Sequence, residues 1–230
     1  MSAWHEGRLL ATRPAASGLW TVRVDVSQTP LVGSHTLPGQ YLLLAIGELR
    51  EAAFAIASGP DEQGEVFELL VKEGSPVTDL LVRAPEGTPV RLGKPRGPGF
   101  PLEKAAGKRL LLFATGSGIS AIRSVIESLR KDRARYGEVT LYFGARSPTA
   151  FAYRDQLDAW ERAGIRVART VSQPDGEQWE GTTGYVQALL ADESLGDAVA
   201  FVCGQREMVE AVREALVSRG MPPENVFLNF

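Results

Sequence analysis

The chain has 230 residues, a net charge of −3 at pH 7, and 44% hydrophobic against 23% charged residues, which is an ordinary balance for a globular protein. The low net charge, without long runs of one sign, argues against a nucleic-acid groove or a membrane-surface site. The apolar runs are too short to cross a bilayer and the first eight residues lack an apolar signal core, so we predict a cytoplasmic protein.

Cysteine and histidine are scarce, which limits the available chemistry. The single cysteine, Cys203, cannot form an internal disulfide, a cysteine-rich zinc site or an iron–sulfur cluster. The two histidines, His5 and His35, lie near polar or turn residues. We interpret both as surface residues without a catalytic role.

The first hundred residues alternate short β-forming segments with turn residues. The predicted strands cover residues 19–26, 41–46, 53–57, 66–72 and 89–92. A short helix is predicted over 77–83. Several short strands at this spacing are typical of an antiparallel barrel or sandwich.

A proline- and glycine-rich seam over residues 95–108 separates this region from one with a different rhythm. Strands are predicted over 110–114, 139–143, 165–171, 198–203 and 226–230. Helices are predicted between them over 119–129, 153–160, 185–190 and 208–217. This alternation indicates a parallel sheet with helices on both faces. We therefore predict an antiparallel β-barrel domain over 1–100 and a doubly wound α/β domain over 106–230.

The first strand of the second region runs into a glycine-rich loop, Gly116-x-Gly118-x-x-Ala121, which opens an amphipathic helix. A strand end, a tight turn and a helix N-terminus together suit an anion such as a phosphate. The alternative is that the glycines only let strand and helix pack closely. A ligand is expected in the crevice at the carboxyl ends of the parallel strands, beneath the barrel.

Eight short motifs follow one another in a specific order along the chain. They are Pro38-Gly39-Gln40-Tyr41, Phe54-Ala55-Ile56-Ala57-Ser58, Gly74-Ser75-Pro76-Val77-Thr78, Gly97-x-Gly99-Phe100, Ala114-Thr115-Gly116-Ser117-Gly118-Ile119, Tyr142-Phe143-Gly144-Ala145-Arg146, Gly181-Thr182-Thr183-Gly184-Tyr185 and Cys203-Gly204-x-x-x-Met208. Over essentially the whole length, the chain resembles the ferredoxin–NADP reductase superfamily, especially its small NAD(P)H–flavin reductases.

The resemblance implies a flavoprotein that moves a hydride from NADH or NADPH to bound FAD, with FMN as an alternative flavin. The implied flavin-site residues are Tyr41, Phe54, Ala55, Ile56, Ala57, Ser58, Val71, Lys72, Gly74, Ser75, Pro76, Val77 and Thr78. The implied nicotinamide-nucleotide residues are Thr115, Gly116, Ser117, Gly118, Ile119, Gly144, Arg146, Cys203, Gly204 and Met208. Cys203 and the chain-terminal aromatic Phe230 are the candidate catalytic residues.

Each of these assignments has a purely structural alternative. Thr115 could cap the helix, Cys203 could be a small buried hydrophobe, and Met208 could be helix core. Arg146 could be a solvated surface charge. The electron acceptor stays open among a free flavin, oxygen, a quinone and a separate redox protein.

The sequence departs from the family pattern at three points. Ala52 and Ala55 stand where relatives carry an arginine and a serine on the flavin strand, which removes a charge and a hydroxyl. Ser172-Gln173 stands where NADPH-dependent relatives often have Ser-Arg, which favours NADH. Two further hypotheses follow: a non-catalytic regulatory protein on the same fold, or a reductase that uses free flavin as a substrate.

Overall fold

The computed structural model describes residues 3–60, 62, 64–174, 176, 178–192 and 194–229. Its first part is an antiparallel sheet of six strands with one helix. The strands are β1 (His5–Ala16), β2 (Leu19–Asp25), β3 (Tyr41–Ala45), β4 (Ala52–Ala55), β5 (Val66–Lys72) and β6 (Pro89–Leu92), and helix α1 (Pro76–Arg83) lies between β5 and β6.

The six strands pair in the order β4-β3-β6-β1-β2-β5. An antiparallel bridge between Ile56 and Leu69 joins the two outer strands, so the sheet closes into a barrel. Alternate side chains, such as Val22 and Val24 on β2, point into the barrel and are fully buried. This alternation is the period-2 pattern that predicted the strands.

Strand β1 was not predicted, because its sequence is polar and interrupted by Gly7 and Pro14. Its pairing with both β2 and β6 makes it a strand. A Cβ at Gly7 would lie 2.8 Å from both the Asp25 carbonyl oxygen and Leu92 Cδ1, so the absence of a side chain lets these strands meet.

His35 corrects the expectation of a surface histidine. It is only 4% exposed, and its ring packs edge-on against Phe67 at a centroid distance of 6.4 Å. An imidazole can pack as an aromatic ring, which the surrounding polar sequence does not reveal.

The second part is a parallel sheet of six strands with three α-helices. The strands are β7 (Leu110–Thr115), β8 (Val139–Ala145), β9 (Ile165–Val171), β10 (Thr182–Thr183), β11 (Val199–Cys203) and β12 (Val226–Leu228). The helices are α2 (Ile119–Arg130), α3 (Leu157–Arg162) and α4 (Arg206–Ser218). The predicted barrel and doubly wound sheet are therefore both confirmed.

The parallel strands pair in the order β10-β9-β8-β7-β11-β12. Strands β8, β9 and β10 follow β7 on one side of the sheet, and β11 and β12 then lie on the other side of β7. Ligands of open α/β sheets bind where the strand order reverses in this way, at the carboxyl ends of the strands. The switch point lies between Thr115 and Cys203.

The two faces of the parallel sheet carry different cores. Leu110, Leu112 and Ala114 face a cluster that includes α2 and α3, whereas Leu111 and Phe113 face the cluster with α4. Four buried barrel residues, Leu19, Ala57, Leu70 and Phe100, belong to the first cluster. The barrel and the α/β part thus share one apolar core.

Two predicted helices are shorter than expected. The segment predicted over 185–190 is a 3₁₀ turn, Val186–Leu189, and the segment over 153–160 begins as a 3₁₀ turn, Arg154–Gln156, before α3. Tyr153, at the start of the latter, has a φ of +58°, which no regular helix allows. Among the described residues, no helix is long and apolar enough to cross a membrane.

Candidate active site

The glycine-rich loop places an open turn at the switch point. Gly116 to Gly118 form a 3₁₀ turn between β7 and α2, and Ser120 Oγ holds the turn by donating to the Ser117 carbonyl at 2.8 Å. Gly116 has a φ of +53°, and a Cβ there would meet nothing within 4 Å. The turn therefore leaves room for an anion at the start of a twelve-residue helix.

The other glycines of the crevice serve close packing. A Cβ at Gly118 would clash with the Cys203 backbone, and one at Gly204 would clash with Met208 and with Thr115 Oγ1. Close packing of strand and helix therefore explains the glycine at position 118. At Gly116, by contrast, no neighbouring atom would clash with a side chain.

Thr115 does not cap the helix, which excludes the structural alternative for this residue. Its Oγ1 is buried and has no hydrogen-bond partner among the described residues. The Cγ2 of Thr115 packs against Gly144, and a Cβ added at Gly144 would lie 3.0 Å from this methyl group. A buried polar atom without a partner at the floor of the crevice fits a polar ligand there, as a nicotinamide nucleotide would provide.

Cys203 ends strand β11 on the opposite wall of the crevice. Burial raises the pKa of its thiol to about 12, although a hydrogen bond from Asn229 partly counters this. Asn229 Nδ2 donates to Cys203 Sγ at 3.7 Å. The thiol is therefore neutral at physiological pH and holds its proton tightly, so any contribution to the reaction comes from contact and shape.

The end of the chain reaches this site. Asn229 is buried, and a Cβ added at Gly39 of the barrel would lie 3.0 Å from its Oδ1. Asn229 was not identified from the sequence, although an amide within the apolar run Val-Phe-Leu-Asn-Phe is a usable signal. Phe230, the second candidate catalytic residue, lies outside the described residues.

The predicted flavin strand is more buried than expected. Ile56 and Val71 have no exposed surface and belong to the barrel core. Phe54 is 8% exposed, whereas Tyr41 and Ala55 are half-buried. The accessible side chains of this strand are therefore those of Ala52, Ala53 and Ala55, with the edge of Phe54, and Tyr41 lies beside Ala55 on the paired strand β3.

The continuation of the flavin strand is tied to helix α2. Arg123 Nη1 donates to the Ala57 carbonyl at 2.8 Å, and Ser124 Oγ donates to the Ser58 carbonyl at 2.9 Å. The amide of Ala57 donates to the Glu68 carbonyl at 2.7 Å. Ala57 and Ser58 thus join the barrel to the α/β part, and we call these contacts the joint.

The buried guanidinium of the joint is compensated by barrel carboxylates. Arg123 lies 3.4 Å from Glu62 and 3.8 Å from Glu68, with 10% of its side chain exposed. Desolvation lowers the pKa of Arg123, and the field of these carboxylates outweighs it, so that the pKa is raised overall. This cluster could not be predicted from the sequence, because Arg123 lies within an ordinary amphipathic helix.

The turn predicted to hold the flavin pyrophosphate forms a capped helix start. The Thr78 amide donates to Ser75 Oγ at 3.3 Å, and the Ser75 amide donates to Thr78 Oγ1 at 3.2 Å. Gly74 has a φ of +108°, and its amide donates to the Asp79 carboxylate at 2.9 Å. Lys72 and Pro76 are exposed beside the turn, whereas Val77 is buried. Asp79, which the sequence analysis overlooked, places a negative charge at this turn.

The outer end of the crevice carries cationic and aromatic groups. Arg146 is exposed after β8, and its carbonyl accepts from the Gln173 amide at 2.8 Å. Nearby in the chain fold, the Arg169 guanidinium lies 5.6 Å from the centroid of Trp179, whose ring stacks on Phe151. Met208 is half-buried and packs beside the α4 core. Met208 therefore packs with the core of α4, and its side chain also lies against Gly204.

Comparison with known proteins agrees with this geometry. Residues 112–214 match the family model described as an oxidoreductase NAD-binding domain. Ferredoxin–NADP reductase B of Sorangium cellulosum is 33% identical over 245 residues, which cover 96% of this chain and 95% of that protein. The fruit protein pKIWI502 of Actinidia deliciosa is 34% identical over 232 residues, covering 93% of this chain and 73% of that protein.

A solved structure has the same fold. The ferredoxin NADP⁺ reductase from Neisseria gonorrhoeae with bound FAD and NADP superimposes with a TM-score of 0.81 at 19% identity, over 99% of this chain and 98% of that one. Barrel, switch-point crevice and joint define a two-domain NAD(P)H-dependent oxidoreductase that transfers hydride to FAD and passes the electrons on. The chain belongs to the ferredoxin–NADP reductase family, as its motifs predicted.

The joint predicts a large difference between two arginines of one helix. Arg123→Met leaves Glu62 and Glu68 without their buried counter-charge, and we expect it to lower the free energy of unfolding by about 3 kcal/mol. Arg130→Met removes an exposed pair with Glu127 at 2.8 Å and should cost about 0.5 kcal/mol or less. Urea denaturation followed by circular dichroism measures both, and equal losses would contradict the assignment.

The thiol predicts a pH response. An ordinary thiol, with a pKa of 9.0, is half ionised at pH 9, whereas at a pKa of about 12 only roughly one thiol in a thousand is. Native Cys203 should therefore resist iodoacetamide at pH 9 and react rapidly in urea. The folded state holds this proton longer, so the thiol's contribution to stability is lost as pH rises from about 9 to 12. Equal alkylation rates with and without urea would show that the thiol is accessible and ionised.

Proposed function

We propose that residues 1–100 hold FAD, that residues 106–230 bind the nicotinamide nucleotide, and that the electrons leave to a separate redox protein. The single observation that carries the nucleotide assignment is the pairing of an open turn at Gly116 with the unpartnered hydroxyl of Thr115 at the switch point. The nucleotide pyrophosphate then lies over Gly116, Ser117, Gly118 and Ile119, at the positive end of α2.

The nicotinamide end of the nucleotide lies between Thr115 and Cys203. The neutral thiol adds no charge beside the ring, and the backbone contact of Gly118 with Cys203 keeps the two walls at a fixed separation. Bound FAD supplies the redox chemistry: it accepts a hydride and can release electrons one at a time. The chain contributes positioning, and the barrel seated over the crevice excludes water.

NADH is the proposed electron donor. A 2′-phosphate dianion is best held by a bidentate guanidinium, and the residue after Ser172 is Gln173, which is exposed and uncharged. Arg146 is a candidate cation beside this position, since its carbonyl accepts a hydrogen bond from the Gln173 amide. A single exposed arginine supports only a modest preference for a phosphate.

A separate redox protein is the proposed electron acceptor. The sequence contains a single cysteine and so cannot carry an iron–sulfur cluster of its own. The relative from Sorangium cellulosum is named for ferredoxin as its partner, and it matches this chain over nearly its full length.

A second function, reduction of free flavin as a substrate, is favoured by one observation. The Gly74 amide, at the turn assigned to the flavin pyrophosphate, donates its hydrogen bond to the Asp79 carboxylate and not to a ligand. Ala52 supplies no compensating cation on the flavin strand. A weakly held flavin would exchange with solution, and the purified protein would then lack a flavin absorption band.

The nucleotide assignment predicts a charge effect at one position. Gly116→Asp places a carboxylate in the turn, whereas Gly116→Asn has the same size and tolerates the same positive φ. We expect the aspartate variant to raise the KM for NADH roughly tenfold or more over the asparagine variant, by repulsion of the pyrophosphate. The assay is anaerobic bleaching of the flavin band by NADH. Equal KM values in the two variants would remove the pyrophosphate from this turn.

The flavin assignment predicts a gain of affinity. Asp79→Asn keeps a side-chain acceptor for Gly74 but removes the negative charge, so FAD should bind about five- to tenfold more tightly, or about 1 kcal/mol. Quenching of FAD fluorescence on titration with protein measures the affinity. Glu86→Gln, an exposed barrel carboxylate, is the control and should change nothing. An unchanged affinity in both variants would mean that the pyrophosphate lies elsewhere.

A further inference from the structure

A cavity lies between the barrel and the α/β part, and the joint residues Ser58 and Arg123 are among those that line it. Its volume is about 750 Å³, which lies within the range of small-molecule sites. Strands β1, β2 and β5 form one wall, and helix α2 with residues 153–156 forms the other. Thr115, Gly116 and Cys203 do not line it, so it is distinct from the nucleotide crevice.

The floor of this cavity carries two buried polar atoms without hydrogen-bond partners. Tyr153 is 4% exposed, and neither its Oη nor Glu68 Oε1 has a partner at hydrogen-bond length among the described residues. Burial and the nearby Glu68 carboxylate raise the pKa of Tyr153 well above its ordinary value, so the hydroxyl keeps its proton. The hydroxyl interacts with the Glu68 carboxylate, whose Oε1 also lies 3.8 Å from Arg123 Nε, so these groups form a loosely paired polar floor.

Tyr153 is also held in a strained backbone conformation. Its φ of +58° is the only positive value among the described residues other than glycine. A bulky side chain in this region costs of order 1 kcal/mol or more and persists where the surroundings require it. The Arg123 guanidinium lies 5.3 Å from the ring centroid, and Arg123 Nε donates to Gln156 at 3.0 Å. The floor is therefore held rigidly in place by the joint.

The mouth of the cavity is cationic. Arg13 lies on β1 and Arg23 on the neighbouring strand β2. Arg13 pairs with Thr21, and Thr21 is two residues from Arg23, so both arginines lie on the same face of the sheet. Both are exposed, and neither has an ion pair in the part of the chain that the structure describes. Asp155 is the acidic group at this rim, whereas Glu62 and Glu68 are engaged with Arg123.

We propose that this cavity binds a small organic phosphate monoester of the size of a nucleoside monophosphate. The two guanidiniums, Arg13 and Arg23, match the two charges of a phosphate dianion. Pro14, Ala15 and Val66 provide an apolar middle section for the body of the ligand. Tyr153 and Glu68 close the inner end as a polar floor beneath the ligand.

The test is thermal denaturation of the full chain with the four common nucleoside 5′-monophosphates, each at millimolar concentration, and with inorganic phosphate. NAD⁺ at saturating concentration fills the nucleotide crevice in a parallel series. At least one monophosphate should raise the Tm by several degrees, since a ligand at 100 times its Kd adds about 2.7 kcal/mol. Isothermal titration calorimetry then gives the Kd and the stoichiometry.

Three variants locate the binding. The double change Arg13→Gln with Arg23→Gln should weaken binding at least tenfold, and Arg213→Gln, an exposed arginine on α4, should leave it unchanged. Tyr153→Phe should weaken the ligand, because it removes the hydroxyl from the polar floor of the cavity. The proposal is overturned if no monophosphate binds, or if inorganic phosphate binds with the same affinity as the monophosphates. It is also overturned if the double variant binds the monophosphate with unchanged affinity, or if saturating NAD⁺ abolishes the binding.

Discussion

The buried guanidinium of Arg123 is the interaction on which the arrangement of the two halves depends. It comes from α2, whose first turn faces the nucleotide crevice, and it donates to the carbonyl of Ala57, which continues the predicted flavin strand. A charge this deeply buried is tolerated only when it is paired, and Glu62 and Glu68 provide that pairing from the barrel. Apolar contacts hold the halves together, whereas Arg123 fixes their register.

The crevice and the cavity use different kinds of group. The crevice uses backbone groups and a neutral thiol, which suits a reaction whose main demand is that two rings be positioned. The cavity uses the charged side chains of Arg13 and Arg23 at its mouth and a polar floor at Tyr153 and Glu68, which suits recognition of a small polar molecule. Helix α2 borders both, with Gly118 at its start and Arg123 one turn later.

Much of the fold could be predicted, and the reasons are local. Strand β5 and strand β9 have the predicted ends, because their apolar patterns stop at turn residues. Strand β1 was wrongly left out, since tertiary pairing overrides its weak sequence signal. Within the site, Thr115 and Gly116 could be found from the loop motif. The roles of Asp79 and Arg123 could not, because only the folded chain brings each of them to its partner, and Asn229 had only the weak signal of an amide within an apolar run.

The two hydrogen bonds between α2 and the barrel use different kinds of group on the two sides, and this difference has an evolutionary consequence. On the α2 side the donors are specific side chains, Arg123 and Ser124, but on the barrel side the acceptors are the main-chain carbonyls of Ala57 and Ser58. Any residue at positions 57 and 58 presents the same carbonyls, provided that the backbone path is kept. The α/β part could therefore be transferred onto a different barrel that has the same backbone shape here, provided that this barrel also carries carboxylates to pair with Arg123, as Glu62 and Glu68 do.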